Sequence, residues 1–409
     1  MRNNFGFQQR ALSLLEQLRH RLVAPDFCAR PRRRATDFSR ACVLAFPVLM
    51  LVRLPKSLQS LQAHLPEFLG QLAGGTPAVS LSGGALTPAR AKLCARAFAE
   101  LNELVRATVY GPAHAARVQR WQGHRLLAVD SSRARVPTSA ALGEKFGWVP
   151  CANQHGLQAR YPQGRVSVLY GVLHELALDP RLAAATVAAT ALAHEHLAPV
   201  SPGDVLLNDR GDTGDRWFVA VRGAGAHFGS RGSRGSFTAV QALFARAQAG
   251  VSMVGTLPAP KEVRAECRQR NWPLALRVRL VTVRLSRGEL EVRATSLQDQ
   301  AVYPNEALSA VSGRRGGQET YYGRLQGRVE LEHASGTTVA AVAQDFHASV
   351  RLANVESVVI GPAQQELAAR TAGRQQAAQV HRAVSLHGLK HRLIDLLRSR
   401  VPAMEVLAQ

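Results

Sequence analysis

The sequence is poor in the features that mark several common protein classes. Its five cysteines, at 28, 42, 94, 151 and 267, are odd in number and show no short spacing. That excludes a zinc knuckle and a disulfide framework, and it suits a reducing compartment. Long apolar runs are missing: the stretch 41–52 is interrupted by Pro47. A bilayer span needs about 20 apolar residues, so this stretch reads as a buried helix and no membrane is expected. The first residues lack a secretory signal's order of basic, apolar and small residues, and the expected location is the cytoplasm. Acids are scarce, with 29 Asp and Glu against 51 Lys and Arg, which leaves a net charge of +22 and a pI near 11.2. Such an excess argues for a polyanionic partner, because each phosphate neutralised by Lys or Arg releases condensed counterions. Charge by itself fits DNA, RNA, an anionic membrane surface or a ribosome equally well.

What is present is a globular composition, 46% hydrophobic and 20% charged over 409 residues, long enough for more than one core. Residues 1–118 read as helical, with apolar positions at helical spacing in Leu58, Leu61, Leu65 and Leu69 and a further helix expected over 88–109. The run RPRRR at 30–34 makes Arg32, Arg33 and Arg34 either phosphate contacts or part of a solvated linker. Near 120 the texture changes. A short apolar run over 125–129 ends on Asp130, 166–173 reads as a second strand, and 176–179 lies near a third. The alanine-rich stretch 183–197 is expected to be helical. The run 204–208 ends on Asp209, and a helix carrying Trp217, Phe218, Val219 and Val221 follows. Strands first, then strand–helix–strand, imply an α/β fold: a mixed sheet with helices packed on it. The segment 274–297 reads as a long hairpin turning at Ser286-Arg287-Gly288. Its alternation puts Arg277 and Arg279 on an arginine-lined face, and a phase slip at Leu280–Val281 predicts a bulge. From about 305 onward the chain reads as helices.

Any single acid at a strand end can be a turn former or a cap. Two of them, Asp130 and Asp209, on strands expected to be buried, point instead to the crevice at the strands' C-terminal ends, where ligands bind. A third acid, Glu319, has Arg315 four residues before it, Tyr322 three after and Gln326 seven after, all on one helix face. Three carboxylates supply the hard oxygen ligands that Mg²⁺ (or Mn²⁺) takes, with positions left for a phosphate and a nucleophile.

The stretches around these acids, LLAVDSSRARVP at 126–137, DVLLNDRG at 204–211 and RGGQETYYGRLQGRVELEHASGTTVAAVAQDF at 315–346, resemble the bacterial insertion-sequence transposases of the DDE class, the insertion-sequence-four-like family. SGGALTPARAKLCARAFAELN at 82–102 and WPLALRVRLVTVRLSRGELEVRATSL at 272–297 resemble that family's helical region and its β segment. The resemblance implies a ribonuclease-H-like core interrupted by a β-rich insertion, with helical N- and C-terminal regions. The corresponding boundaries are 1–118 for a helical DNA-binding region, 119–231 for the first part of the core, 232–304 for the insertion, 305–360 for the part carrying the glutamate, and 361–409 for the C-terminal helices. It also implies Asp130, Asp209 and Glu319 as the metal-holding catalytic carboxylates, supported by Arg315. DNA contacts would come from Arg32, Arg33, Arg34, Arg277, Arg279, Tyr322, Arg324 and Gln326. The implied activity is strand cleavage and strand transfer on double-stranded DNA, at element ends and target. The protein would act as a dimer in the DNA complex and associate with the nucleoid when bound.

Four positions depart from the family pattern. Ser312 and Asp212 stand where it has tyrosine, Gly316 where it has tryptophan, and Gln326 where it has lysine. The last removes a cation from a phosphate-handling site, and Arg324 or Arg328 is placed to replace it. The departures leave open a catalytically impaired remnant that only binds DNA, and a metal-dependent DNA nuclease. Elsewhere, His194 and His196 are expected at the surface, since positions two apart do not share a helix face. Trp272 is expected to pack the base of the hairpin rather than stack on an extruded base. Asp345 is expected to be a buried or interhelical structural acid.

Overall fold

The structure is a computed structural model. It describes positions 13, 14 and 17 and most of the chain from 95 to 385. Outside the described residues lie 1–12, 15, 16, 18–94, 153–155, 157, 210–214, 233–239, 242, 244, 246–249, 285–287, 315, 330, 375–377, 383 and 386–409. The expected helices before 95, the RPRRR run, Arg315 and Asp212 therefore fall outside them. The chain divides into two compact units. One comprises 119–132 and 165–322; the other comprises 1–118, 133–164 and 323–409.

The first unit is built on a mixed sheet. Its strands are β1 (Leu126–Arg135), β3 (Gln158–Gly171), β4 (Leu176–Ala184), β5 (Val205–Asn208), β6 (His227–Gly232), β7 (Ser252–Pro258), β8 (Ala275–Arg284) and β9 (Leu290–Thr295). β1 and β3 each run on at one end into the other unit, where β2 (Trp148–Ala152) pairs antiparallel with the start of β3. Across the sheet the order is β3, β1, β5, β6, β9, β8, β7, with β4 on the far side of β3. β5 is parallel to β1 and to β6, while β9 runs antiparallel to β6. A parallel neighbour needs a crossover, and between β5 and β6 it is helix α4 (Asp215–Gly223), whose Trp217, Phe218 and Val221 are buried. The Phe218 and Phe228 rings stack at 4.3 Å. In the middle of the sheet Leu126 to Val129 and Val205 to Leu207 are buried without a break, as strands covered on both faces require.

Two expectations change here. The alanine-rich stretch is helical only as α3 (Ala189–Glu195), because 176–184 is taken by β4 pairing with β3. Helix propensity is worth only tenths of a kcal/mol per residue, and sheet pairing overrides it. The hairpin β8–β9 forms as expected, and it continues the core sheet through the β6–β9 pairing. No bulge breaks β8 at Leu280–Val281: its pairing with β7 and with β9 is continuous through both residues. The phase of apolar residues is free to slip because 278–282 are buried on both sides of the strand.

In the second unit the helix α1 (Ala95–Tyr110) packs on α8 (Val339–Arg370). Leu101 and Val105 meet a helix whose Ala348, Val350 and Val355 are fully buried, and Asn354 donates to Asn102 across the buried face at 2.6 Å. Asp345 accepts from the Ser335 backbone N–H at 2.6 Å and from its hydroxyl, which is the structural role expected of it. No helix among the described residues is long and apolar enough to cross a membrane.

Candidate active site

Asp130 and Asp209 belong to the run of two neighbouring parallel strands, β1 and β5. Leu126, Leu127 and Ala128 pair with Val205, Leu206 and Leu207, a constant offset of 79. Asp130, on β1, and Asp209, the residue that follows β5, each come two residues after the last of these pairs. Both are half-buried, where Leu126 to Val129 and Val205 to Asn208 before them are buried. The Asp130 carboxylate accepts from the Ser131 N–H at 2.7 Å. Asp209 lies 3.7 Å from Arg231.

Glu319 sits on α7 (Gly316–Gly323), whose buried face is Gln318, Tyr321 and Tyr322. Gln318 donates to the Val168 carbonyl at 2.9 Å, Tyr321 packs on Tyr170, and Tyr322 donates to the Asp130 carbonyl at 2.7 Å. These contacts fasten α7 to β3 and to β1 at the catalytic candidate itself. Glu319, one turn before Tyr322, flanks that face, and its side chain is exposed. It does not join the aspartates in a group able to hold a metal: among the described residues no three His, Cys, Asp or Glu side chains do so.

Several proposed DNA contacts are committed elsewhere. Arg279 is almost wholly buried, with its guanidinium donating to Ser252 Oγ, the Tyr303 carbonyl and Asn305 Oδ1. Arg293, on the partner strand, is buried as well, so the arginine-lined face does not exist; only Arg277 of the expected pair is exposed. β7 and β9 flank β8, and Tyr303 and Asn305 close over Arg279, which turns an alternating pattern into a buried one. Arg324 is buried beside Glu356 at 3.8 Å and is not a surface replacement for the missing lysine. Tyr322 is buried as a tie to β1, and Gln326 donates to the Arg133 carbonyl at 3.3 Å. Trp272 packs as expected: a Cβ on Gly223 would fall 2.0 Å from its ring.

His196 corrects another expectation. It is fully buried because α3 ends at Glu195 and the next residue turns inward. Its Nδ1 lies 2.8 Å from Asp179 and its Nε2 lies 2.9 Å from Ser167 Oγ, which in turn donates to the Asp130 carbonyl at 3.3 Å. Burial works to raise the Asp179 carboxyl, but hydrogen bonds and charge from His196 and Arg181 outweigh it and hold the group below its ordinary value. The backbone of Asp130 is thus held from both sides, by Tyr322 and by this chain. No spacing in the sequence links Ser167, Asp179 and His196, which come from β3, β4 and the end of α3.

No protein-family model matches the chain, and no curated protein matches it. A solved structure similar to it is that of a piggyBac transposase synaptic complex with hairpin DNA. The two share 8% identity, with 96% of this chain and 79% of that one covered and a TM-score of 0.47. A likeness of that degree carries no argument for fold or function.

Proposed function

We propose that the chain is a metal-dependent DNA transposase of the DDE type, with Asp130, Asp209 and Glu319 as its carboxylates and Arg315 as a further catalytic residue. The observation that carries this is the parallel β1–β5 pairing of Leu126–Ala128 with Val205–Leu207, after which Asp130 and Asp209 each come two residues further along. The strand order supports it: β4, β3 and β1, then β5 and β6 parallel to β1, is the arrangement that a ribonuclease-H-like core requires. The +22 charge and the resemblance of 126–137, 204–211 and 315–346 to insertion-sequence transposases support it as well. Asp130 and Asp209 fit a hard cation, since Mg²⁺ takes one or two carboxylates and keeps its remaining positions for water and phosphate. When bound there, the cation would activate the attacking oxygen and stabilise the leaving one. The chain's own part is to hold the carboxylates. Tyr322 and Ser167 fix the Asp130 backbone, and Asp209 directly follows the buried strand β5. The substrates are double-stranded DNA at element ends and target, joined by a dimer, with exposed Arg277 and the RPRRR run among the phosphate contacts.

A second reading is a remnant that binds DNA without cutting it. The observation favouring it is that Glu319 stays outside the aspartate pair, while Arg324 and Gln326 are committed to structural contacts. Strand cleavage of a labelled duplex carrying the ends of the gene's own element, in Mg²⁺ or EDTA, separates the two. Metal-dependent nicking at the boundary, lost in Asp209→Asn and Glu319→Ala by at least about a hundredfold, is expected of the enzyme. Binding without cleavage in Mg²⁺ and in Mn²⁺ would leave only the remnant.

A further inference from the structure

The charged row does not stop at the two aspartates. β5 and β6 pair with Asn208 opposite Ser230, so the next step sets Asp209 opposite Arg231, and β6 pairs with β9 with Arg231 opposite Arg293. Arg231 and Arg293 are thus paired on β6 and β9, and Asp209, one residue past β5, lies 3.7 Å from Arg231. Two residues from Arg293, on the same face of β9, lies Glu291, which is 0% exposed. One oxygen of Glu291 accepts from Arg293 Nε at 2.6 Å, and the other lies 2.6 Å from Arg231 Nε. Arg293 is buried and also donates to the Leu308 carbonyl at 3.2 Å.

Arg231 differs from Arg293 in one respect: its side chain is 35% exposed. Its Nε is fixed by the buried carboxylate, and its Nη1 lies 3.7 Å from Asp209, too long for a hydrogen bond. A half-exposed ion pair at that distance adds little to stability. A guanidinium ion-paired through Nε and turned toward Asp209 is, however, arranged to meet a phosphate with its terminal nitrogens in bidentate fashion. The charges agree. Three carboxylates (Asp130, Asp209, Glu291) against two guanidiniums leave one negative charge. A divalent cation reverses that to one positive, which a single phosphodiester neutralises.

We infer that Arg231, anchored by Glu291, takes the phosphate of a DNA strand at the Asp130–Asp209 site. The inference rests on the reading of that site as one for phosphoryl transfer. The test uses the full chain and two probes: Mn²⁺ alone, followed by electron paramagnetic resonance, and a short labelled duplex in Ca²⁺, titrated over a range of salt. Arg231→Ala should leave Mn²⁺ affinity in place and make the slope of log affinity against log salt shallower by about 0.9, the loss of one phosphate contact. Arg231→Lys should restore the slope. Glu291 keeps Arg293 in the alanine variant; if that variant melts early, Arg231→Gln is read in its place. An unchanged slope with altered Mn²⁺ affinity would show that Arg231 serves Asp209 alone, and the inference would fall while the site stood. Wild-type protein that binds neither probe would remove the site reading, and the inference with it.

Discussion

Asp204 and Asp209 bracket the same four-residue strand, and the structure uses them in opposite ways. Asp204, before β5, is 3% exposed and takes two nitrogens of Arg125, one at 2.7 Å, together with the Ser201 N–H at 2.7 Å. Beside it His124 links the Gly203 carbonyl to the Tyr303 hydroxyl, and His227 donates its N–H to the Asp204 carbonyl. Asp209, after β5, is 34% exposed and faces Arg231 at 3.7 Å. One end of the strand is a latch in which a buried charge is fully bonded. The other end keeps its carboxylate within reach of solvent, which a group that is to bind a cation must do. An acid at a strand end is therefore not informative by residue type; its partner and its exposure separate the two roles.

The contrast is open to direct attack. Asp204→Ala leaves Arg125 uncompensated in a nearly closed site and should cost about 3–5 kcal/mol of unfolding free energy, read by denaturant titration. Asp209→Ala, at a side chain 34% exposed, should stay within about 0.5 kcal/mol of wild type. Equal losses in the two variants would erase the distinction. A smaller effect is expected from pH at the latched end. Burial, with the charges of Arg222 and His124, lowers the His227 pKa from 6.5 to about 4. The unfolded chain then binds the proton that the folded one refuses, so stability should fall as pH drops from about 6.5 toward about 4. His347, buried next to Arg351 in the other unit, is lowered to about 4 as well and adds to the same window. His227→Gln should flatten the melting-temperature profile there in part; a profile that stays as steep would mean that His227 is not the group. Tyr322→Phe removes the bond to the Asp130 carbonyl and should cost about 1 kcal/mol. If α7 also positions Glu319, cleavage should drop further than stability does.

Much of the sheet was legible from alternation and apolar runs, because strand length and burial leave a direct trace in residue order. β5, α4 and the β8–β9 hairpin lie where that trace puts them, whereas β1 runs on past Asp130 to Arg135 and β3 begins at Gln158, ahead of the expected 166. The aspartates were legible for the same reason, each closing an apolar run. Arg279 and Arg324 were misjudged because sequence shows a charge but not the Ser252, Asn305 or Glu356 that buries it. His196 was misjudged because its position depends on where α3 stops.

What the sequence by itself determined is the set of elements and the identity of the acids that end them, since local periodicity and side-chain type are written along the chain. What only the tertiary structure decided is which of those groups share a level across the sheet and which are sealed from water. The 79-residue offset between β1 and β5, and the pairing of β5 with β6 that leads on toward Arg231, are facts of strand register. Register is a long-range choice, made by the packing of both sheet faces at once, and no local stretch of residues encodes it.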